Sequence, residues 1–198
     1  ENITFSVVLT PSFLPIIEQF LLSEIVALAL VDTLARYDIP CRIKWTNDIY
    51  AADNKIAGVL IEHSLLGEGI ARTIVGIGLN INQREFPKDI PNPTSMAIER
   101  NMEFNRKEVL DHYVSALSEL YTMLEQGHKE AIEARYIATM YHLNEEHTYA
   151  YPNGEHFQAT IRGVLPSGHL RLEHKDGTIA EYAFKEVEFV LPQKRLKN

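Results

Sequence analysis

Hydrophobic and polar residues alternate with a period of two in several stretches near the start of the chain. Residues 3–9 alternate in this way, and residues 55–62 and 72–80 repeat the pattern. Shorter stretches of the same kind lie at residues 42–45 and 49–51. This period places successive side chains on opposite faces of a strand. We therefore predict a β-strand at each of these five positions.

Three other regions are predicted to be helical. Residues 16–35 are mainly apolar but are interrupted by glutamate, glutamine, serine and aspartate. A membrane span needs about 18 to 20 consecutive apolar residues, so this run predicts an amphipathic, buried helix instead. Asn105, with Glu108 three residues later, predicts the capped start of a helix over residues 106–125. A further helix is predicted over residues 129–140.

Turn signals are regularly spaced in the C-terminal part of the chain. Asn153-Gly154, Ser167-Gly168 and Asp176-Gly177 separate short runs of β-forming residues. Closely spaced hairpins of this kind are typical of a small antiparallel barrel or sandwich. We therefore predict two domains, an α+β domain at residues 1–143 and a small β-barrel at residues 147–198.

The net charge and the cysteine content bear on the binding partners and on the cellular compartment of the protein. The chain carries a formal net charge of −8, which argues against nucleic-acid binding by this chain. Cys41 is the single cysteine, so no internal disulfide can form and a reducing cytoplasm is predicted. We expect no membrane association. Glu1 already lies at the start of a predicted strand, and we expect a further segment upstream.

The segment Lys44-Trp45-Thr46-Asn47-Asp48 is unusual for the end of a core strand. A lysine in this position can carry a positive charge into a cleft, where it would stabilise a phosphate group or a developing oxyanion. The alternative is a solvated lysine that forms an ion pair with Asp48. Spacing alone leaves both interpretations open.

Glycines within two predicted strands are the second unusual feature. Gly58 interrupts one strand, and Gly76 and Gly78 place two bare positions on one face of the next, with Asn80 at its end. A glycine in a strand makes room for a ligand or another backbone, or it marks a bulge. Asn80 offers both a donor and an acceptor beside the bare face.

Taken in order, these segments resemble the biotin protein ligase family. The family has Lys-Trp-Pro-Asn-Asp, Lys-x-x-Gly-x-Leu-x-Glu and Gly-x-Gly-x-Asn at similar intervals, where this chain reads KWTND, KIAGVLIE and GIGLN. Residues 93–96, PTSM, and the C-terminal hairpins extend the resemblance over nearly the whole chain. Thr46 departs from the family by replacing its usual proline, which bears on the rigidity of the turn.

The resemblance implies a fold, and it also implies that the N-terminal part of the catalytic domain is missing from this sequence. We expect an α+β fold in which a mixed β-sheet with packed helices, of the class II synthetase-like type, is followed by an SH3-like β-barrel. The family carries a loop rich in Gly-Arg-Gly ahead of the strand that begins here at Ile3, and this sequence does not contain it. Residues 1–143 are therefore expected to be an N-terminally incomplete catalytic domain.

The resemblance also implies an activity and its residues. Such ligases use ATP to convert biotin into biotinyl-5′-AMP and then transfer biotin to a lysine of a biotin carboxyl carrier protein. By their positions in the motifs, Lys44 is expected to be catalytic and to contact biotin and ATP, and Asn80 to contact the adenylate. Asn47 and Asp48 are expected to support Lys44. The residues matching the biotin-binding strands are Gly58, Leu60, Gly76 and Gly78.

Other partners and other functions remain open at this point. Mg²⁺ is expected to accompany the ATP phosphates, but no protein metal site is predicted. His142 and His147 are close in sequence, yet no further histidine or cysteine joins them, so surface histidines are predicted. A homodimer is a further expectation. The alternative functions are a lipoate or octanoate ligase or transferase, or a non-catalytic fragment that only dimerises or docks the carrier.

Overall fold

The computed structural model describes residues 1–67 and 69–191 of the chain. It contains two five-stranded sheets, and the helices lie in the first part of the chain. Residues 192–198 of the predicted C-terminal domain lie outside the described residues, and the predicted domain boundary stays a prediction. No helix of the described chain is long and apolar enough to cross a membrane.

The larger sheet forms from the five strands that the alternating pattern predicts. They are β1 (Ile3–Leu9), β2 (Cys41–Lys44), β3 (Asp48–Ala51), β4 (Asn54–Leu66) and β5 (Gly69–Leu79). Their order across the sheet is β1-β5-β4-β3-β2. The α+β class is confirmed, with one correction. All strand pairs of this sheet are antiparallel instead of mixed, because β2 to β5 follow one another through short turns, which only antiparallel neighbours permit.

The helices cover one face of this sheet. They are α1 (Phe20–Ala35), α2 (Met96–Arg100), α3 (Arg106–Glu125) and α4 (Lys129–Thr139). α1 contacts β2 and β3 as well as α3 and α4, which explains why it is apolar on nearly every side. The predicted cap of α3 is present, since Asn105 Oδ1 accepts a hydrogen bond from the Lys107 backbone N–H at 3.0 Å. The short helix α2, capped by Ser95, has no counterpart among the predicted elements.

The smaller sheet forms from the C-terminal hairpins. Its strands are β6 (Glu146–Ala150), β7 (His156–Val164), β8 (Leu170–His174), β9 (Ile179–Tyr182) and β10 (Glu188–Phe189), in the order β10-β6-β7-β8-β9. Gly154, Gly168 and Gly177 occupy the predicted turns with positive φ, a conformation that glycine adopts without steric cost. This antiparallel sheet agrees with the SH3-like expectation.

Direct contacts join the two sheets beside the KWTND segment. The buried Trp45 donates a hydrogen bond from Nε1 to the Gly168 carbonyl at 2.9 Å. A Cβ atom on Gly168 would lie 2.6 Å from Cδ2 of Phe20, so only glycine allows this close approach. The Tyr141 backbone N–H also donates to the Ile43 carbonyl on β2. The smaller sheet is thereby held against the strand that carries Lys44.

Candidate active site

Cross-strand pairing lines up the predicted site residues on one face of the larger sheet. Lys44 pairs with Asp48, Asp48 with Gly58, Gly58 with Gly78, and Gly78 with Thr4. Paired residues of neighbouring strands point to the same face, so this row crosses the whole sheet. Its middle consists of two glycines. We call the face that carries this row the open face.

A second row on the open face runs beside the first. Leu60 pairs with Gly76, and Gly76 pairs with Ser6. Leu60 is 63% exposed although it is a large apolar residue. Apart from Leu60, neither row carries a large apolar side chain of the kind that fills a covered face.

A cavity of about 610 Å³ lies over the first row. Its polar side includes Lys44, Asp48, Lys55, Gly58, Gly78 and Asn80. Its apolar side comes from the loop of residues 86–93, through Phe86, Pro87, Ile90, Pro91 and Pro93. The structure therefore brings five of the predicted site residues to one cavity: Lys44, Asp48, Gly58, Gly78 and Asn80.

Lys44 directs its ammonium group toward aromatic rings. Nζ lies 4.6 Å from the centroid of the Phe189 ring and 5.6 Å from that of Tyr50. Within residues 1–67 and 69–191, no side chain forms an ion pair with Lys44. Burial lowers the pKa of the Lys44 ammonium, while Asp48 opposes this effect and Lys55 adds to it. The ammonium is thus desolvated and available to an anionic ligand.

Asp48 forms its ion pair with Lys55 instead of Lys44. Lys55 Nζ lies 2.6 Å from Asp48 Oδ1. The lysine reaches across Gly58, where a Cβ atom would lie 3.2 Å from Lys55 Cε and Nζ. Gly58 therefore makes room for this ion pair. Lys55 was not among the predicted site residues. The signal that could have found it is its position as the first residue of the KIAGVLIE motif.

The remaining predicted residues have distinct positions. Asn80 donates to the Thr94 carbonyl at 2.9 Å and so ties the end of β5 to the chain ahead of α2. Asn47 donates to the Val59 carbonyl at 2.5 Å and holds the turn after β2 against β4. With Leu60, Asn47 lines a second cavity of about 320 Å³ that also borders the smaller sheet at Gly168. Gly76 lies in the second row, outside the residues that line the larger cavity.

The larger cavity offers little to a metal ion by itself. Asp48 is the one carboxylate among the described residues that line it, and that carboxylate is paired with Lys55. Mg²⁺ binds oxygen ligands and commonly obtains most of them from phosphates and water. The residues here therefore fit an ion that arrives with a nucleotide, and they do not form a separate metal cage.

Comparisons with known proteins bear on the fold and on the family that the chain resembles. A model of the Biotin/lipoate A/B protein ligase family matches residues 1–80, which include all three motifs. The solved structure of biotin protein ligase from Aquifex aeolicus in complex with biotin and ATP superposes with a TM-score of 0.79 and 26% identity. That match covers 96% of this chain and 79% of the other. Residues 1–80 are therefore similar to this ligase family, and nearly the whole chain shares the fold of a biotin protein ligase.

The curated proteins that this chain resembles are longer than it is. The bifunctional ligase/repressor BirA of Bacillus spizizenii is 29% identical over 125 residues, which cover 61% of this chain and 38% of that protein. The protein of the same name from Escherichia coli is 24% identical over 168 residues, covering 84% of this chain and 52% of the relative. The resemblance to biotin protein ligases is confirmed, and the chain spans about half or less of these two relatives.

Proposed function

We propose that this chain acts as a biotin protein ligase, which converts biotin and ATP into biotinyl-5′-AMP and transfers biotin to a lysine of a biotin carboxyl carrier protein. The observation that carries the proposal is the position of Lys44. Its partly buried ammonium borders a cavity over a row of glycines, and no carboxylate of the described residues forms an ion pair with it.

The cavity suits a nucleotide joined to a small acid. Its volume of about 610 Å³ lies within the usual range of small-molecule sites, roughly 300–1,000 Å³. The loop of residues 86–93 supplies an apolar wall, and Lys44 and Lys55 supply positive charge for phosphates. The similar Aquifex aeolicus ligase has been solved with biotin and ATP, which supports the same pair of ligands here.

Both proposed steps place additional negative charge on oxygen. In the first, a carboxylate oxygen of biotin attacks the α-phosphorus of ATP, the bond to the bridging oxygen breaks, and pyrophosphate leaves. In the second, the neutral amine of the acceptor lysine attacks the acyl carbon, AMP leaves, and the amine loses a proton. A fixed ammonium at this point lowers both barriers, because it interacts more strongly with each transition state than with the substrates. We assign this role to Lys44.

The other site residues have supporting roles in this proposal. Gly76 and Gly78 leave the open face bare, so that biotin can lie along it beside Leu60, and Gly58 contributes by making room for the Lys55–Asp48 ion pair at the edge of this surface. Asn80 contacts the adenylate, and Asn47 and Asp48 hold the turn that presents Lys44. Mg²⁺ would arrive with the ATP phosphates and offset their charge, and Asp48 is the one carboxylate among the described lining residues that could help to hold it.

The proposal also includes an acceptor protein and a cellular compartment. A carboxylase carrier domain is the acceptor, and the reducing cytoplasm is the compartment that suits an unpaired, buried Cys41. A homodimer stays a prediction.

The test is biotin-dependent exchange between ATP and labelled pyrophosphate on the 198-residue chain. Lys44→Ala should lower the exchange rate by about 100-fold or more, since the loss of one such stabilising group commonly has that effect. Lys107→Ala, which changes an exposed lysine on α3, is the matched control and should exchange normally. Lipoate in place of biotin should support no exchange.

Equal rates for Lys44→Ala and the control would contradict the role of Lys44. Exchange with lipoate but not with biotin would favour the lipoate branch of the family. A folded chain that exchanges with neither acid would contradict the proposed activity of this chain.

A further inference from the structure

Three potential metal ligands converge where α4 gives way to β6, outside the residues that line the larger cavity. His142, Glu145 and His147 each direct one ligand atom toward the others, and all three atoms lie within 4.8 Å of one another. They form the one group of this kind among the described residues. The sequence shows the two histidines but gives no third histidine or cysteine, and Glu145 fills that position in space.

The distances within this group are close to those of a metal centre. His142 Nδ1 lies 3.0 Å from Glu145 Oε2, and His147 Nε2 lies 3.2 Å from the same oxygen. Zinc binds such atoms at about 2.0–2.2 Å in tetrahedral geometry, which places neighbouring ligand atoms about 3.3–3.5 Å apart. The two imidazoles are now stacked with an interplanar angle of 26°, so binding would require a modest opening of the rings.

The turn that carries the ligands is well fixed. His142 and Asn144 both have positive φ, at 59° and 61°. The Asn144 backbone N–H donates to the Ile161 carbonyl on β7, and that of Glu145 donates to the His142 carbonyl. Arg162 donates to the Asn144 side chain at 2.8 Å. These contacts hold the backbone of the first two ligands in place before any ion binds, which reduces the entropy lost on binding.

We propose that His142, Glu145 and His147 bind one divalent transition-metal ion of the zinc class. Two imidazoles and one carboxylate suit zinc, nickel or cobalt better than magnesium or calcium, which prefer oxygen ligands alone. Three protein ligands leave a position for water, and a cavity of about 370 Å³ borders His142 and Glu145. Arg42 also lines that cavity and opposes a cation, whereas Asp53 on the same wall offsets it.

The position of the site indicates its effect. Tyr141, next to His142, donates its backbone N–H to Ile43 on β2 and its hydroxyl to Asp53 at 2.6 Å. An ion at His142 would therefore fix the connection between the two sheets, next to the strand that ends at Lys44. Because such an ion binds the folded protein and not the unfolded chain, it raises the melting temperature, and the rise increases with the logarithm of the free ion concentration above the Kd.

The test is calorimetric titration of the untagged, metal-free chain with zinc chloride, together with thermal unfolding. We expect one Zn²⁺ per chain and a higher melting temperature with zinc. His147→Gln and Glu145→Gln should each weaken zinc binding by more than about tenfold, since the loss of groups merely adjacent to a metal already costs about that much. Cobalt titration should give the visible absorption of a tetrahedral ion in the unaltered chain and not in the two variants.

His156→Gln is the matched control, because His156 is exposed on β7 outside the group. It should bind zinc and respond to it as the unaltered chain does. Absence of zinc binding by the unaltered chain, or equal binding by all four proteins, would overturn the proposal and leave a hydrogen-bonded surface cluster. Glu145 is largely exposed, so its variant keeps the test valid if His147→Gln is poorly folded.

Discussion

The two faces of the larger sheet differ sharply, although the same strands supply both. On the helix-covered face, Val75, Ile77 and Leu79 of β5 are buried to 1% exposure or less. On the open face, Gly76 and Gly78 of the same strand carry no side chain, and nothing would contact a Cβ atom on Gly78 within 4 Å. Neighbouring residues of β5 therefore lie alternately in the closely packed core and beside open space.

This difference separates stability from ligand binding at the level of single residues. Side chains on the covered face lose water on folding and contribute about 25 cal/mol per Å² of buried apolar surface. The open face contributes little of this kind, and its bare positions matter only when a ligand lies against them. Substitutions on the two faces should therefore alter different measurements.

The largest loss of stability is expected from Ile77→Ala on the covered face. Ile77 is 1% exposed, and removing its side chain leaves a cavity next to the helices. We expect the free energy of unfolding to fall by about 2–5 kcal/mol. Urea denaturation followed by circular dichroism measures this change. A loss below about 1 kcal/mol would contradict the assignment of this face to the core.

A smaller effect on stability is expected from a substitution of Glu24, which is the one charged residue that is buried among the described residues. Glu24 on α1 is 5% exposed, and its Oε2 has no hydrogen-bond partner. Burial, with a contribution from Glu133, raises the pKa of Glu24 from 4.5 to about 8. Between those values the folded protein holds a proton that the unfolded chain has lost. Stability is therefore full below about pH 4.5 and decreases up to about pH 8.

Glu24→Gln should remove this pH dependence and raise the free energy of unfolding near pH 8 by a few kcal/mol, at no more than about 1.4 kcal/mol per pH unit. Urea denaturation at pH 5, 6.5 and 8, with the exposed Glu125→Gln as control, measures it. A control and a Glu24 variant with the same pH profile would show that Glu24 titrates normally.

The smallest effect on stability is expected from Leu60→Thr on the open face. Leu60 is exposed and threonine suits a strand, so the free energy of unfolding should change by no more than about 0.5 kcal/mol. Biotin binding should nevertheless weaken by about tenfold, through the loss of apolar contact worth about 1.4 kcal/mol. Denaturation and biotin titration on the same sample make the comparison. A large loss of stability with unchanged biotin binding would reverse the roles of the two faces.

Local rules account for the elements that could be predicted from the sequence. β1 occupies Ile3–Leu9 as its alternation predicts, and α3 begins where Asn105 can cap it. The glycine turns of the smaller sheet also lie at the predicted positions, because few other residues adopt positive φ. In each case the deciding interaction lies within a few residues along the chain.

Contacts between distant residues could not be predicted in this way. Lys44 pairs with Asp48 in the ladder, yet the ion pair goes to Lys55, which reaches across Gly58 from the next strand. Phe189 contacts Lys44 from the smaller sheet, and no local pattern announces that contact. Glu145 joins the two histidines only because a turn with two positive φ values folds it back.

The most direct test of the central claim is calorimetric titration of Gly78→Val with biotin and ATP, compared with the unaltered chain. Gly78 borders the cavity and a new side chain there meets open space, so the variant should fold with unchanged or slightly higher stability. We expect the unaltered chain to bind both ligands and the variant to lose this binding, because the valine occupies the space that the ligands require. A variant that binds as tightly as the unaltered chain, or an unaltered chain that binds neither ligand, would contradict the account.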